Sequence, residues 1–152
     1  LLRGQVPLVL DEYDYKSELG CAKRLRGGND ALVISSGLMT MLTLEVAKQL
    51  EADGIKVAVP HCPTIKPLNE AAILAEAREP GRVVAVAENH SVVGALGEAV
   101  ARLLMRKGVM PARFRMLALP DAFLDAGALP TLQDRYGISA EKMAESIKGW
   151  LK

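Results

Sequence analysis

The sequence predicts an α/β fold in which a mostly parallel sheet lies between two layers of helices. Four short apolar runs, at residues 31–35, 56–59, 82–87 and 114–119, have the composition of strands that are buried on both faces. Stretches with helical spacing of apolar residues separate these runs, so that strands recur every ~25 to 30 residues, the size of a βαβ unit. Right-handed crossovers between parallel strands then place helices on both faces of the sheet.

Composition and charge limit the function classes that fit the chain. Half of its 152 residues are hydrophobic, which is enough for one domain with a real core. Its 19 basic and 18 acidic residues are evenly spread and give a net charge of +1, so no patch for nucleic acid or anionic membrane is expected. The longest stretch without charge, residues 31–44, is shorter than the ~18 apolar residues of a membrane span. We expect a soluble, cytoplasmic protein.

The beginning of the chain has the pattern of a domain boundary. Residues 1–10 form a short apolar run that contains Pro7, and a charged segment follows at residues 11–18. The chain begins with Leu1 rather than methionine, which suggests a piece of something longer. We expect the compact domain to start near Leu19.

The first strands are predicted to form a hairpin. Residues 21–25 have strand composition, and the glycines of residues 26–30 suit a tight reversal that leads into the strand at residues 31–35. The strand at residues 21–25 would then be an antiparallel edge of the sheet. Cys21 and Cys62 are predicted to be free, buried thiols, because nothing in the sequence resembles a disulfide framework.

Three helices follow the first three parallel strands. Gly37 opens the first, and Gly54 is placed to end it. The strand at residues 56–59 is interrupted by prolines, after which Asn69 is a suitable N-cap for a helix over residues 70–79. The third helix is predicted over residues 92–107.

The end of the chain carries one clear helix. Prolines and glycines divide residues 120–137 into short turns or helices, whereas Ser139 is predicted to cap a final helix. That helix has one apolar face, formed by Met143, Ile147, Trp150 and Leu151.

The main candidate site is the point where the strand at residues 82–87 gives way to a polar turn before the third helix. Strand ends and unpaired helix amides converge at such points, so ligand or partner contact is expected here. Alternatively, Asn89 or Ser91 caps the helix, while His90 or Glu88 satisfies neighbouring backbone groups. Catalysis by these side chains is the third alternative. The candidate residues are Glu88, Asn89, His90, Ser91, Gly94 and Ser36.

Two glycine- or serine-containing segments have alternative interpretations. Gly94 and Gly97 lack the first glycine of a dinucleotide-binding fingerprint and lie inside the predicted helix, so they are expected to allow close packing of helix on sheet. The segment Ser35, Ser36, Gly37 can form an anion cradle, but a serine cap on the following helix is the favoured interpretation.

The residues that could bind a metal or act as a nucleophile are few. His61, Cys62 and His90 do not reach the three or four suitably spaced ligands of a metal site, so His61 and Cys62 are predicted to be core or strand-end residues. The sequence has no G-x-S-x-G nucleophile elbow. Five methionines are predicted to fill gaps in the core: Met39, Met41, Met105, Met110 and Met116.

Several separated motifs resemble one family. Residues 82–97, with A-E-N-H-S-V-V-G-A-L-G, are similar to the strand, turn and helix of the C-terminal domain of transketolase-like thiamine diphosphate enzymes. Residues 64–69, T-I-K-P-L-N, resemble the family's T-x-K/R-P-L-D turn, with Asn69 in place of aspartate. Residues 119–123 and 136–138 resemble the tail of split transketolases and of deoxyxylulose-phosphate synthase, and residues 19–30 resemble the hairpin that enters the domain.

The resemblance implies a three-layer α/β/α domain with a mixed sheet of about five strands, one of them antiparallel. Residues 1–18 would be the tail of a preceding pyrimidine-binding domain and a linker, and residues 19–152 the transketolase C-terminal-like domain. It further implies that thiamine diphosphate and magnesium are held by the two preceding domains of the parent enzyme. No catalytic, cofactor-binding or metal-binding residue is assigned to this chain.

The resemblance therefore predicts a structural, dimer-supporting domain of an enzyme that transfers a two-carbon ketol unit between sugar phosphates. The expected partners are the cofactor-binding domains of the same enzyme and a second copy in a homodimer, and the chain alone is expected to be inactive. One alternative is a free-standing module that binds an anionic metabolite at the strand ends near Ser36 and Glu88. A second is an independent hydrolase that uses His90 and Glu88.

Overall fold

Five strands form one mixed sheet in the computed structural model of the chain, which describes residues 10–152. Their order is β1-β3-β2-β4-β5, and only β1 runs antiparallel to its neighbour. The predicted α/β class and the antiparallel edge are confirmed. The prediction for residues 1–9 lies outside the described residues. The strands are β1 (Lys23–Arg26), β2 (Ala31–Ser35), β3 (Val57–His61), β4 (Val83–Ser91) and β5 (Arg113–Leu119).

Helices cover both faces of this sheet, which gives the expected three layers. One face of the sheet packs against α1 and α5 through a cluster that includes Val33 and Val59, and the other packs against α2 and α3 through a cluster that includes Leu32 and Ile34. Each fully buried leucine or isoleucine of this kind contributes about 2 to 3 kcal/mol relative to exposure. The helices are α1 (Leu38–Glu51), α2 (Glu70–Ala77), α3 (Leu96–Arg106), α4 (Leu129–Arg135) and α5 (Ala140–Trp150).

The predicted hairpin between the first two strands is wrong, because β1 pairs with β3 and β3 lies between β1 and β2. The glycine-rich connection crosses the start of β3 instead of folding back beside β1. Asp30 Oδ2 accepts a hydrogen bond of 2.6 Å from the backbone N–H of Lys56, and a Cβ on Gly28 would lie 2.5 Å from the backbone of Val57. Glycine is therefore required by this close crossing.

The predicted turn at residues 88–91 is also wrong, since β4 continues through these residues to Ser91. Its last residue pairs with Leu119 of β5, after an irregularity in register that follows Ala87. The neighbouring strand β5 extends far enough to pair with the backbone at this polar end of β4. As a result, α3 begins at Leu96 rather than near residue 92.

Helix caps agree with the sequence in two places and differ in a third. Asn69 caps α2 by accepting from the N–H of Ala72 at 3.1 Å, and Ser139 caps α5 by accepting from the N–H of Lys142 at 3.3 Å. The favoured serine cap on α1 is wrong. Its N-cap residue is Gly37, with φ 52°, and no side chain caps the helix.

The methionines divide between core and surface. Met39 is fully buried and Met41 half-buried, but Met105, Met110 and Met116 are exposed, so the core prediction is wrong for these three. Both cysteines are free, with Cys62 buried as predicted and Cys21 only half-buried. No helix among residues 10–152 has the length and apolar character needed to cross a membrane.

Candidate functional site

The side chain of Glu88 forms the centre of the predicted site. This residue is 2% exposed, and its two carboxylate oxygens accept hydrogen bonds from the backbone N–H groups of Leu96 at 2.9 Å and Gly97 at 2.8 Å. Helix N-termini leave their first N–H groups unpaired and favour negative charge. The N-cap residue Ala95 has no side chain that could serve this purpose. Glu88 therefore caps α3 from the neighbouring strand, as the second interpretation of this residue allowed.

The remaining residues of the polar segment are near the surface and do not converge on Glu88. Asn89 and His90 are exposed, and Ser91 is half-buried. The Nδ1 atom of His90 lies 3.3 Å from the carbonyl oxygen of Ser91, and Ser91 Oγ accepts from the N–H of Val93 at 3.2 Å. Neither Asn89 nor Ser91 caps α3, so that part of the second interpretation is wrong.

Gly94 and Gly97 have different roles at the start of α3. Gly94 precedes the helix, contrary to the prediction, and has φ 78°, which favours glycine. Its N–H donates to Oε2 of Glu98 at 2.8 Å. Gly97 lies in the first turn, where a Cβ would overlap the side chain of Met116 and come within 3.0 Å of Glu88 Oε1. Close packing of helix on sheet, predicted for both glycines, is thus found at Gly97.

Ser36 lies at the same edge of the sheet as Glu88, because Ser35 of β2 pairs with Ala87 of β4. The side chain of Ser36 is half-buried, and its carbonyl oxygen accepts from the N–H of Met39 at 3.2 Å. The structure therefore places Ser36 directly after β2, beside the part of the neighbouring strand β4 that contains Glu88.

A buried polar chain next to Ser36 was not predicted as a unit. Ser35 Oγ donates to Thr40 Oγ1 at 3.0 Å, and Thr40 Oγ1 lies 2.7 Å from Nδ1 of His61. The ring of Tyr15 stands edge-on to the His61 ring, with 5.1 Å between centroids. Burial lowers the pKa of His61. His61 is a strand-end residue as predicted. A polar Thr40 on the inner face of α1 was the available sequence signal for its partner.

An open groove of about 690 Å³ lies beside α3, between this helix and the turn at residues 65–68. Gly94 is the one predicted site residue that lines it. Its floor contains the half-buried Leu68 and the buried Ala95 and Leu103, while its charged lining consists of Lys66, Glu70, Glu98, Arg102 and Arg106. The turn at residues 64–69 was described from the sequence as a family motif, but it was not predicted to be part of a site.

No three side chains of the His, Cys, Asp and Glu types come together as a metal-binding group within residues 10–152. The cysteine nearest to a histidine in sequence, Cys62, is buried, and burial raises the pKa of its thiol to about 12. This cysteine is therefore protonated at neutral pH.

Comparison with known proteins finds a family model that matches most of the chain. Residues 20–143 match the model of the transketolase C-terminal domain. The chain is 64% identical over 151 residues to an uncharacterised transketolase family protein of Sinorhizobium fredii, covering 99% of the chain and 44% of the relative. It is 36% identical over 139 residues to the 1-deoxy-D-xylulose-5-phosphate synthase of Heliobacterium modesticaldum, covering 91% of the chain and 21% of the relative.

A solved structure supports the same assignment. A split-gene transketolase, determined as an inactive beta4 tetramer, superposes with a TM-score of 0.81 at 33% identity, over 91% of this chain and 44% of that one. The chain thus spans less than half the length of each of these three proteins.

Proposed function

The chain belongs to the transketolase C-terminal domain family, and we propose that it is the structural domain of a transketolase-type enzyme. The parent enzyme would transfer a two-carbon ketol unit between sugar phosphates with thiamine diphosphate. In this proposal the chain contributes assembly and support, and it is inactive by itself.

The observation that carries this proposal is the position of Glu88. In a parallel α/β sheet, the helix N-terminus beside a strand end is the usual place for an anionic substrate or cofactor group. Here two of the N–H groups at the start of α3 are already occupied by the Glu88 carboxylate. The site is therefore built to hold the helix against the sheet, which supports a structural role.

Residues 10–152 do not fit thiamine diphosphate and its magnesium. A diphosphate would compete with a buried carboxylate at α3, and the described residues bring no three metal-ligand side chains together. We therefore assign cofactor binding to other domains of the enzyme and derive no catalytic step from this chain.

Exposed apolar side chains support the assembly role. Met105 lies on α3, Met116 on β5, and Met110 on the segment between them. Phe123 follows β5, and its side chain is fully exposed. Strand β5 is also an edge of the sheet. Exposed apolar groups next to an open sheet edge are typical of surfaces that another chain or domain covers. The proposed partners are the cofactor-binding domains and a second copy of this domain.

Assembly can be tested directly by mixing the chain with the cofactor-binding polypeptide of the same enzyme and measuring the mass of the complex by light scattering. We expect a complex, and we expect Phe123→Asp to weaken it. The matched control is Leu19→Asp, because Leu19 is also a highly exposed apolar residue but precedes β1. A mixture in which both chains keep their separate masses contradicts the proposal.

A further inference from the structure

We propose that the groove between α3 and the turn at residues 65–68 receives an acidic segment of the cofactor-binding polypeptide. The inference rests on the proposed assembly role and names the chemistry of the partner at one surface.

Two of the three cations at the groove lack an anionic partner. Arg106 pairs with Glu70. Lys66 and Arg102 take part in none of the ion pairs or side-chain hydrogen bonds formed within residues 10–152. Both side chains are exposed. The groove therefore presents two positive charges that a partner can pair.

The acidic residue nearest in sequence to Arg102 is engaged elsewhere. Glu98 lies one helical turn before Arg102, a spacing at which a glutamate and an arginine commonly pair. Its carboxylate instead accepts the N–H of Gly94 at 2.8 Å. This arrangement leaves Arg102 available to a carboxylate from outside the domain.

The shape and lining of the groove suit a protein segment with an apolar anchor. The groove has a volume of about 690 Å³. Ala95, Ala99 and Leu103 contribute apolar lining, as does Ile65, which is 42% exposed. Desolvated apolar contacts flanked by charge pairs are the usual anatomy of a protein interface. We therefore assign to the partner an apolar side chain flanked by aspartate or glutamate.

Charge reversal tests this assignment in the assembled complex. The double variant Lys66→Glu, Arg102→Glu should raise the Kd for the cofactor-binding polypeptide about tenfold or more at low salt. The control is Arg78→Glu, Lys107→Glu, which changes net charge by the same amount. Arg78 and Lys107 are exposed C-cap residues of α2 and α3 and do not line the groove. We expect the control to change the Kd less than about twofold, since exposed charges outside the contact surface contribute little to the binding free energy.

Cross-linking gives a second readout that does not depend on affinity. A water-soluble carbodiimide joins an amine to a carboxylate in contact with it, forming an amide and transferring the elements of water to the reagent. In the wild-type complex, mass spectrometry should find Lys66 joined to an aspartate or glutamate of the partner.

The outcomes separate this inference from the proposed function. If the wild-type chains assemble but the two double variants bind equally well, or if Lys66 forms no cross-link to the partner, the groove assignment is overturned and the assembly role stands. If the wild-type chains do not associate, both are overturned.

Discussion

The Glu88 carboxylate lies 2.8 Å from the backbone nitrogen of Gly97, so a side chain of β4 caps the helix that packs on it. This contact joins a strand to a helix through a buried charge that the helix dipole favours.

Removing this cap should destabilise the domain. Glu88→Ala leaves two buried N–H groups without partners, and we expect a loss of about 3 kcal/mol in the free energy of unfolding. Glu88→Gln keeps one good acceptor and should lose less. Glu45→Ala, at an exposed glutamate of α1, is the matched control and should stay within about 0.5 kcal/mol. Urea unfolding measures all three. An equal loss in the Glu88 and Glu45 variants would show that the buried cap is unimportant.

A methyl group at position 97 should be poorly tolerated. A Cβ there would overlap Met116 and approach Glu88 Oε1 to 3.0 Å, so Gly97→Ala should cost about 1 to 3 kcal/mol. Gly149→Ala is the control, since nothing lies within 4 Å of that Cβ position in α5. There the better helix propensity of alanine should stabilise the protein by up to about 1 kcal/mol.

A double variant identifies the cause of the loss at position 97. Met116→Ala removes the overlapping side chain, so the Gly97→Ala cost should be smaller in that background. Additive effects of the two substitutions would contradict the packing explanation.

The stability of the domain should fall in mild acid because of His61. Burial lowers the pKa of His61 in the folded state below the ordinary value of 6.5. Between these two pKa values the unfolded chain binds the extra proton. The contribution of the neutral His61 to the free energy of unfolding is therefore fully present above pH 6.5. It is lost as the pH falls below this value, by up to ~1.4 kcal/mol per pH unit.

The two histidines provide a matched comparison for this effect. His61→Gln should flatten the dependence of unfolding free energy on pH below 6.5, although it also lowers stability at neutral pH by disturbing the contact with Thr40. His90→Gln, at the exposed histidine, is the control for the substitution itself. The explanation fails if the slope survives in the His61 variant.

The two thiols should differ in reactivity. Cys62 is buried and has its pKa raised to about 12, so alkylation by iodoacetamide should require unfolding. Cys21 is half-buried, and although burial and the neighbouring Glu18 raise its pKa, the reagent can reach it. Peptide mapping should find label at Cys21 in the native protein. Cys21→Ser should abolish native labelling, and label on Cys62 in the folded chain would contradict the burial argument.

The sequence predicted what depends on periodic burial and local capping. The run at residues 31–35 is buried throughout as β2, and Asn69 and Ser139 cap the helices that they precede. These features are encoded within a few neighbouring residues, which is why a pattern reveals them.

The predictions that were wrong concern contacts between residues distant in sequence. The glycines at residues 27–28 permit a reversal but do not determine which strand lies beside β1, and β3 takes that position. Ser91 remains in a strand because Leu119 of β5 pairs with it. The cap of α3 comes from Glu88, eight residues before Leu96, whereas sequence patterns reveal only caps adjacent to the helix. Met105 and Met110 are apolar, but the sequence could not show that they lie on the surface.

Turnover of the reconstituted enzyme tests the central proposal most directly. Ketol transfer between sugar phosphates, with thiamine diphosphate and magnesium supplied, should be measured for this chain, for the cofactor-binding polypeptide, and for the two mixed in equal amounts. The proposal predicts no activity from this chain and at least ~10-fold more from the mixture than from the cofactor-binding polypeptide. Activity of this chain by itself, or a mixture no more active than the cofactor-binding polypeptide, would contradict it.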